Sequence, residues 1–268
     1  MINKVIQLVR KASEKMLTDT FEIAQKEGFA NIVTSSDLAV QNALKEGLAT
    51  LLPGCGFLCE EEDRHQLGKE YKWIIDPIDG TANYSRGIDQ CAVCVGLKHH
   101  DEMELAVVYL PRTEELFSAV KGQGAYLNGK PIHVSSRPFA DAVMSTALPV
   151  YHKEYADLCS EIIRETFKQC NDIRRFGAAA PELCYLAMGR TELYFEYLLS
   201  PWDYAAASLI VTEAGGIVAG LDGHQPALTQ PTGILAANSD ANLQQLLSIV
   251  QDYSKKKSQP YLTAESND

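Results

Sequence analysis

The sequence predicts a mixed α and β chain in two halves, with a change of style near residue 136. Three observations carry this. Residues 1–52 hold two stretches of helical apolar period. Residues 91–120 turn to strand patterning cut by turn residues. From Ser136 onward, short β-rich runs alternate with helical ones.

Taken in order, Ile2, Val5, Ile6, Val9, Ala12 and Met16 recur at helical spacing, which predicts a long helix from Met1 to about Lys26. Asn31–Thr34 reads as extended. Ser35–Asp37 is a helix-start signature before "LAVQNALKEGLATLLP", and Pro53-Gly54 ends that helix. "GFLCEEE" is a short strand running into acids, and "KWIID" is another. "CAVCVGLKHH", "MELAVVYLP" and "EELFSAV" predict an antiparallel meander, and "LNGKPI" carries an Asn-Gly turn signal. The second half reads as strand 143–148, helix 153–168, strand 172–176, helix 181–188, strand 192–196 and helix 201–214. Strands at "GGIVAG" and "GILAAN" and a helix over 241–255 complete it. With no repeat and no low-complexity linker, residues 1–135 and 136–268 are expected to form one compact body.

Composition narrows the partners. Lys+Arg 24 against Asp+Glu 35 gives a formal net charge of −11 in 268 residues, which argues against a nucleic-acid backbone. The charged N-terminus lacks a secretory apolar core, and no apolar run is long enough to span a bilayer. Seven cysteines, an odd number, suggest free thiols in a reducing compartment. A cytoplasmic protein without membrane or nucleic-acid partners is expected. Cys91 and Cys94 form a C-x-x-C, but in a strand positions three apart face opposite ways, so both are read as core side chains.

The chemistry centres on Trp73–Asn83, "WIIDPIDGTAN". Asp76 ends an apolar strand, Pro77 fixes φ, and Gly80 permits a tight turn. Two carboxylates and the Ile78 carbonyl then lie within a few residues. Oxygen donors without His or Cys suit Mg²⁺ or Mn²⁺ rather than zinc. An EF-hand is excluded because its acids alternate, whereas these stand three apart. The haloacid-dehalogenase arrangement is excluded because its two aspartates are separated by one residue.

"DPIDGTAN", preceded by "EEE" and followed far downstream by "PWDYAAASLIVTEAGG", resembles the inositol monophosphatase family of magnesium-dependent, lithium-sensitive phosphatases. The likeness runs from about Ile32 to Gly216, and "GQGAYLNGKPI" adds to it. The resemblance implies a layered αβαβα sandwich related to fructose-1,6-bisphosphatase. It also implies a homodimer and two or three Mg²⁺ ions, with Mn²⁺ able to substitute. By the same resemblance, Glu60, Asp76 and the Ile78 carbonyl hold a first metal. Asp76, Asp79 and Asp203 hold a second, and Glu60 helps with a third. Asp37 would orient the catalytic Thr81, with Glu60 also in the catalytic set. Asp79, Gly80, Thr81, Gly177, Ala178, Ala179 and Glu196 would line the substrate, a small phosphorylated polyol or sugar. Cys59 stands where the family commonly has Gly.

Several of these residues also have ordinary structural roles. Asp37 reads as a helix N-cap or first-turn acid, and Asp203, after Ser200-Pro201, as an early-helix acid favoured by the dipole. Glu196 ends a strand. Glu61 and Glu62 read as solvated surface. The histidines are scattered in turns, His99-His100-Asp101 reads as a hairpin cap, and none has ligand spacing. Other phosphatases of the superfamily, acting on fructose bisphosphate, nucleoside 3′,5′-bisphosphate, NADP or histidinol phosphate, stay open. So does a metal-binding protein without turnover.

Overall fold

A computed structural model describes residues 1–17, 21–26, 32–62 and 69–258. In chain order the elements are α1 (Ile2–Ser13), β1 (Ile23–Gln25), β2 (Ile32–Thr34), α2 (Ser35–Leu51), β3 (Gly56–Cys59), β4 (Tyr71–Asp79) and α3 (Thr81–Tyr84). A meander follows: β5 (Ala92–His99), β6 (Glu102–Leu110), β7 (Glu115–Val120), β8 (Ala125–Leu127) and β9 (Lys130–Ile132). The second half is β10 (Val143–Thr146), α4 (Ala156–Phe167), β11 (Asp172–Arg174), α5 (Ala179–Ala187), β12 (Leu193–Leu199), α6 (Pro201–Glu213), β13 (Ile217–Gly220), β14 (Thr232–Ala237) and α7 (Asp240–Ser258).

Two sheets carry the architecture. Seven strands, β3 to β9, lie in sequence order, with only β3–β4 parallel. Five strands form the second sheet in the order β11-β10-β12-β14-β13; β10 pairs in parallel with both neighbours, while β14 runs antiparallel to both of its own. Alternation along each strand divides its side chains between two cores. Trp73, Ile75, Val93 and Val95 pack on α1 and α2 through Val5, Val9, Leu44 and Leu48. Ile74, Ala92 and Cys94 face the other way, onto α5 and α6, which also meet Tyr194, Ile234 and Ala236 of the second sheet. Leu193, Phe195 and Leu235 bury against α4 and α7. The result is a helix–sheet–helix–sheet–helix sandwich. Because α6 lies between two sheets, it is apolar nearly all round and rich in alanine.

The N-terminus differs from its predicted long helix. The helix ends at Ser13, extends as a 3₁₀ turn to Met16, and Ile23–Gln25 is a strand paired with Ile32–Thr34. The helical apolar period itself stops at Met16, so nothing beyond it would bury a helix face. Asn31, the first residue of the predicted extended stretch, lies outside the described residues, as do His65 and the tail from Gln259. Cys91 and Cys94 fall in opposite cores, and all seven cysteines are free and buried.

Candidate active site

The site forms where β3 and β4 leave their sheet and α2, α5 and α6 begin. Cys59 pairs with Ile75 in the parallel β3–β4 ladder, and the Glu60 N–H continues it by donating to the Ile75 carbonyl at 3.2 Å. Register therefore sets Glu60 beside Asp76, and the Glu60 charge raises the proton affinity of Asp76.

The spacing of the two aspartates becomes intelligible in β4. On a regular strand, residues 76 and 79 would face opposite ways. Here Asp76 pairs with Cys94 and Asp79 with Ala92, so three steps on β4 match two on β5. The extra residue is a bulge, where Pro77 is tolerated, and it turns both carboxylates toward the side on which Cys94 and Ala92 meet α5 and α6. A second shift of the same size lies in β12 between Glu196 and Leu199, just before α6.

Asp37 and Asp203 occupy matching positions. Each is the third residue of its helix and closes a capping box, Asp37 with Thr34 and Asp203 with Ser200. Asp37 Oδ2 accepts from the Thr34 N–H at 2.8 Å, while Oδ1 accepts from Thr81 Oγ1 at 3.1 Å. Asp203 Oδ2 accepts from the Ser200 N–H at 2.8 Å. Cap and site residue are thus one and the same, each role using its own oxygen in Asp37.

Gly80 has φ +84, and an added Cβ would lie 2.9 Å from Ala178 Cβ and 3.0 Å from the Gln90 carbonyl. Only glycine fits. Thr81 Oγ1 also lies 2.9 Å from the Ile78 carbonyl, so its single proton has two acceptors. Asp79 accepts from Ala179 N–H at 3.3 Å and Ala180 N–H at 2.6 Å, at the start of α5. The Gly177 N–H donates to Glu182 Oε1. Ala178 and Ala179 are buried, and Glu196 Oε2 accepts from the Tyr194 hydroxyl at 2.7 Å.

Burial is the first cause of every carboxyl shift in the cleft. It raises Glu60 to about 7, helped by Glu61 and Asp37 and opposed by Lys26. Asp79 rises to about 6 against its two backbone donors, and Glu196 to about 7. Asp76 and Asp203 rise well above the usual range, with neighbouring acids adding to burial. No three of these acids bring ligand atoms within 4.8 Å of one another. Among the described residues, three ligand atoms within 4.8 Å of one another occur at Glu70, His99 and His100 instead.

Three residues were missed in the sequence. Lys26 pairs with Glu60 at 3.4 Å and with Glu61, so Glu61 is not solvated surface: its side chain is 6% exposed, and its backbone is bonded on both sides to Gln41. Glu62 likewise pairs with Lys45. Sequence separation hid these contacts. Glu182 accepts from the Phe176 and Gly177 N–H groups at 2.8 Å each, and an acid inside "AAAPELCYLA" was its signal. Asn83 donates to the carbonyls of Gln90 and Phe176, tying two loops across the cleft.

The family model described as "Inositol monophosphatase family" matches residues 1–255. The curated protein "Nus factor SuhB" of Escherichia coli K12 is 34% identical over 260 residues, 94% of this chain and 96% of that one. Its Vibrio cholerae counterpart is 35% identical over 261 residues, with the same coverage. Among solved structures, the extragenic suppressor protein suhB of Bartonella henselae superposes with TM-score 0.87 at 31% identity, over 93% of this chain and 98% of that one. An IMPase of Thermotoga maritima gives 0.85 at 27%, over 95% and 98%. With residues 1–255 matched, the chain belongs to the inositol monophosphatase family.

Proposed function

We propose that the chain is a Mg²⁺-dependent phosphate-monoester hydrolase acting on inositol monophosphate or a similar small polyol or sugar phosphate. One observation carries this reading: the β4 bulge turns Asp76 and Asp79 to one side, with Glu60 and Asp203 near enough for the charges to act on one another, and every proton affinity is raised. Donors that are all oxygen, in a pocket that strains to hold its negative charge, fit a hard divalent cation. Glu60, Asp76 and the Ile78 carbonyl would hold one ion, and Asp76, Asp79 and Asp203 a second, with Glu60 assisting a third. When bound, such ions supply positive charge for the phosphoryl group and acidify the attacking water.

The protein's own groups do the positioning. Thr81 gives its proton to Asp37 or to the Ile78 carbonyl, which leaves an Oγ1 lone pair to accept a hydrogen bond from water. That contact orients the water for in-line attack on phosphorus. The Gly80 and Thr81 N–H groups, at the first turn of α3, would donate to a phosphate oxygen of the substrate. Glu196 keeps Oε1 for a substrate hydroxyl while Tyr194 holds Oε2. Water attacks directly, so no phosphoenzyme forms.

Phosphate release from a panel of monoesters, with and without Mg²⁺, tests the reading. Release with Mg²⁺ from a polyol phosphate, inhibited by Li⁺, is expected; no release from any monoester with Mg²⁺ or Mn²⁺ would refute it. A homodimer follows from the family reading and is checked by sedimentation. A second reading, a protein-binding role without turnover, draws on the name Nus factor carried by the curated relatives. The intact Thr81–Asp37 contact favours turnover, because holding a cation alone needs neither residue.

A further inference from the structure

We propose that Glu70, His99 and His100 form a second metal site, for a transition-metal dication such as Zn²⁺, at the end of β4 remote from the acid cleft. Adjacent residues on a strand ordinarily point to opposite faces. His99 is the last residue of β5, but His100 has φ 49, a left-handed conformation uncommon outside glycine. This turn brings the second imidazole back to the side of the first. His99 Nε2 lies 2.9 Å and His100 Nε2 3.6 Å from the same oxygen, Glu70 Oε1. All three ligand atoms fall within 4.8 Å of one another.

The frame around them is fixed. The His100 N–H donates to the Glu70 carbonyl at 3.3 Å, and Tyr71 stacks on the His99 ring at 4.1 Å with the planes 7° apart. Of the three lysines that line the surface beside Glu70 and His100, Lys69, Lys72 and Lys98, the last is held by the His100 carbonyl and the Asp101 carboxylate. Ligands bound to zinc at about 2.0–2.1 Å in a tetrahedron stand about 3.3 Å apart. The two measured edges, 2.9 and 3.6 Å, bracket that value. Two imidazoles and one carboxylate suit zinc, copper or nickel better than Mg²⁺, and leave a fourth position for water. Bound there, the ion would tie the start of β4 to the β5–β6 turn. The histidines show no ligand spacing in the sequence because the geometry comes from a left-handed turn and a residue 29 positions away.

The test uses the full chain in millimolar Mg²⁺, which on the proposed function occupies the acid site. ZnCl₂ titration by calorimetry and equilibrium dialysis should show one Zn²⁺ per chain and a rise in Tm. Co²⁺ in its place should give the visible bands of a low-coordinate site. His99→Ala/His100→Ala should lose that ion while keeping its circular dichroism. Glu70→Gln should weaken binding about tenfold or more, at least as much as loss of an outer-shell partner does. Zn²⁺ binding equal in the native chain and the double variant, or none in either, would overturn the proposal.

Discussion

The two ends of β4 treat carboxylates in opposite ways. At its start, Glu70 is exposed and faces two imidazoles, and the hydrogen bond with His99 holds its pKa below the usual carboxylate value. At its far end, Asp76 is buried among Glu60, Asp79 and Asp203, and its pKa is pushed well up. Six positions along the chain separate a carboxylate that is exposed and hydrogen-bonded from one buried among like charges. The lesson is that a charge deficit is informative where it is buried. An acid cluster kept dry with Lys26 paired only at its Glu60 edge is costly, and a cation from outside the chain would relieve that cost.

The largest expected effect strikes the buried end. Asp76→Asn should lower Mg²⁺-dependent phosphate release by at least about a hundredfold, with the fold retained and Tm in metal-free buffer unchanged or higher. Full activity in that variant would mean that the deficit serves no cation. Thr81→Ala should reduce kcat by about 10²-fold with KM little changed, since the hydroxyl orients water rather than substrate. A change confined to KM would assign Thr81 to substrate binding instead.

A titration separates the two ends more finely. A carboxyl whose folded pKa is raised binds a proton that the unfolded chain has already released, so stability falls as pH rises through that interval. For Glu182 the interval runs from 4.5 to about 8, for Glu60 and Glu196 to about 7. Thermal melts of the metal-free chain should therefore show Tm falling between about pH 5 and pH 8, and Mg²⁺ should flatten the fall. Glu182→Gln should remove the part of the slope nearest pH 8, a change of roughly a few kcal/mol in buried-group stability. A Tm that climbs steadily over this range would contradict the raised affinities.

Gly80→Ala should cost about 1–3 kcal/mol, the scale of a strained left-handed residue, and more if Ala178 cannot yield. Equal loss of activity and stability would show that the turn merely folds; activity lost first would show that it aims Thr81. The smallest effect belongs to the exposed end. Without transition metal, Glu70→Gln should leave Tm unmeasurably changed, because exposed pairs contribute little.

Local chemistry made much of this legible. Helix α2 was marked by its Ser-Ser-Asp start and its Pro-Gly stop, the meander by alternation, and the acid loop by Pro77 and Gly80. The N-terminal strand pair was not legible, because Ile23–Gln25 is a strand only through its partner at Ile32–Thr34. Nor were Glu61 and Glu62, whose cations come from Lys26 and Lys45. Asp37 and Asp203 were readable as helix caps from their neighbours alone, but Asp37's contact with Thr81 spans 44 residues.

By itself, the sequence determined which residues could carry oxygen ligands, where helices start and where tight turns fall, since these depend on neighbours a few positions away. The tertiary structure alone decided that Asp76 and Asp79 face the same way, that Glu60 stands beside them, and that His99 and His100 share Glu70. Strand register, a single extra residue in a ladder and one left-handed turn set these alignments. Each is a property of paired backbones, which no single stretch of chain possesses.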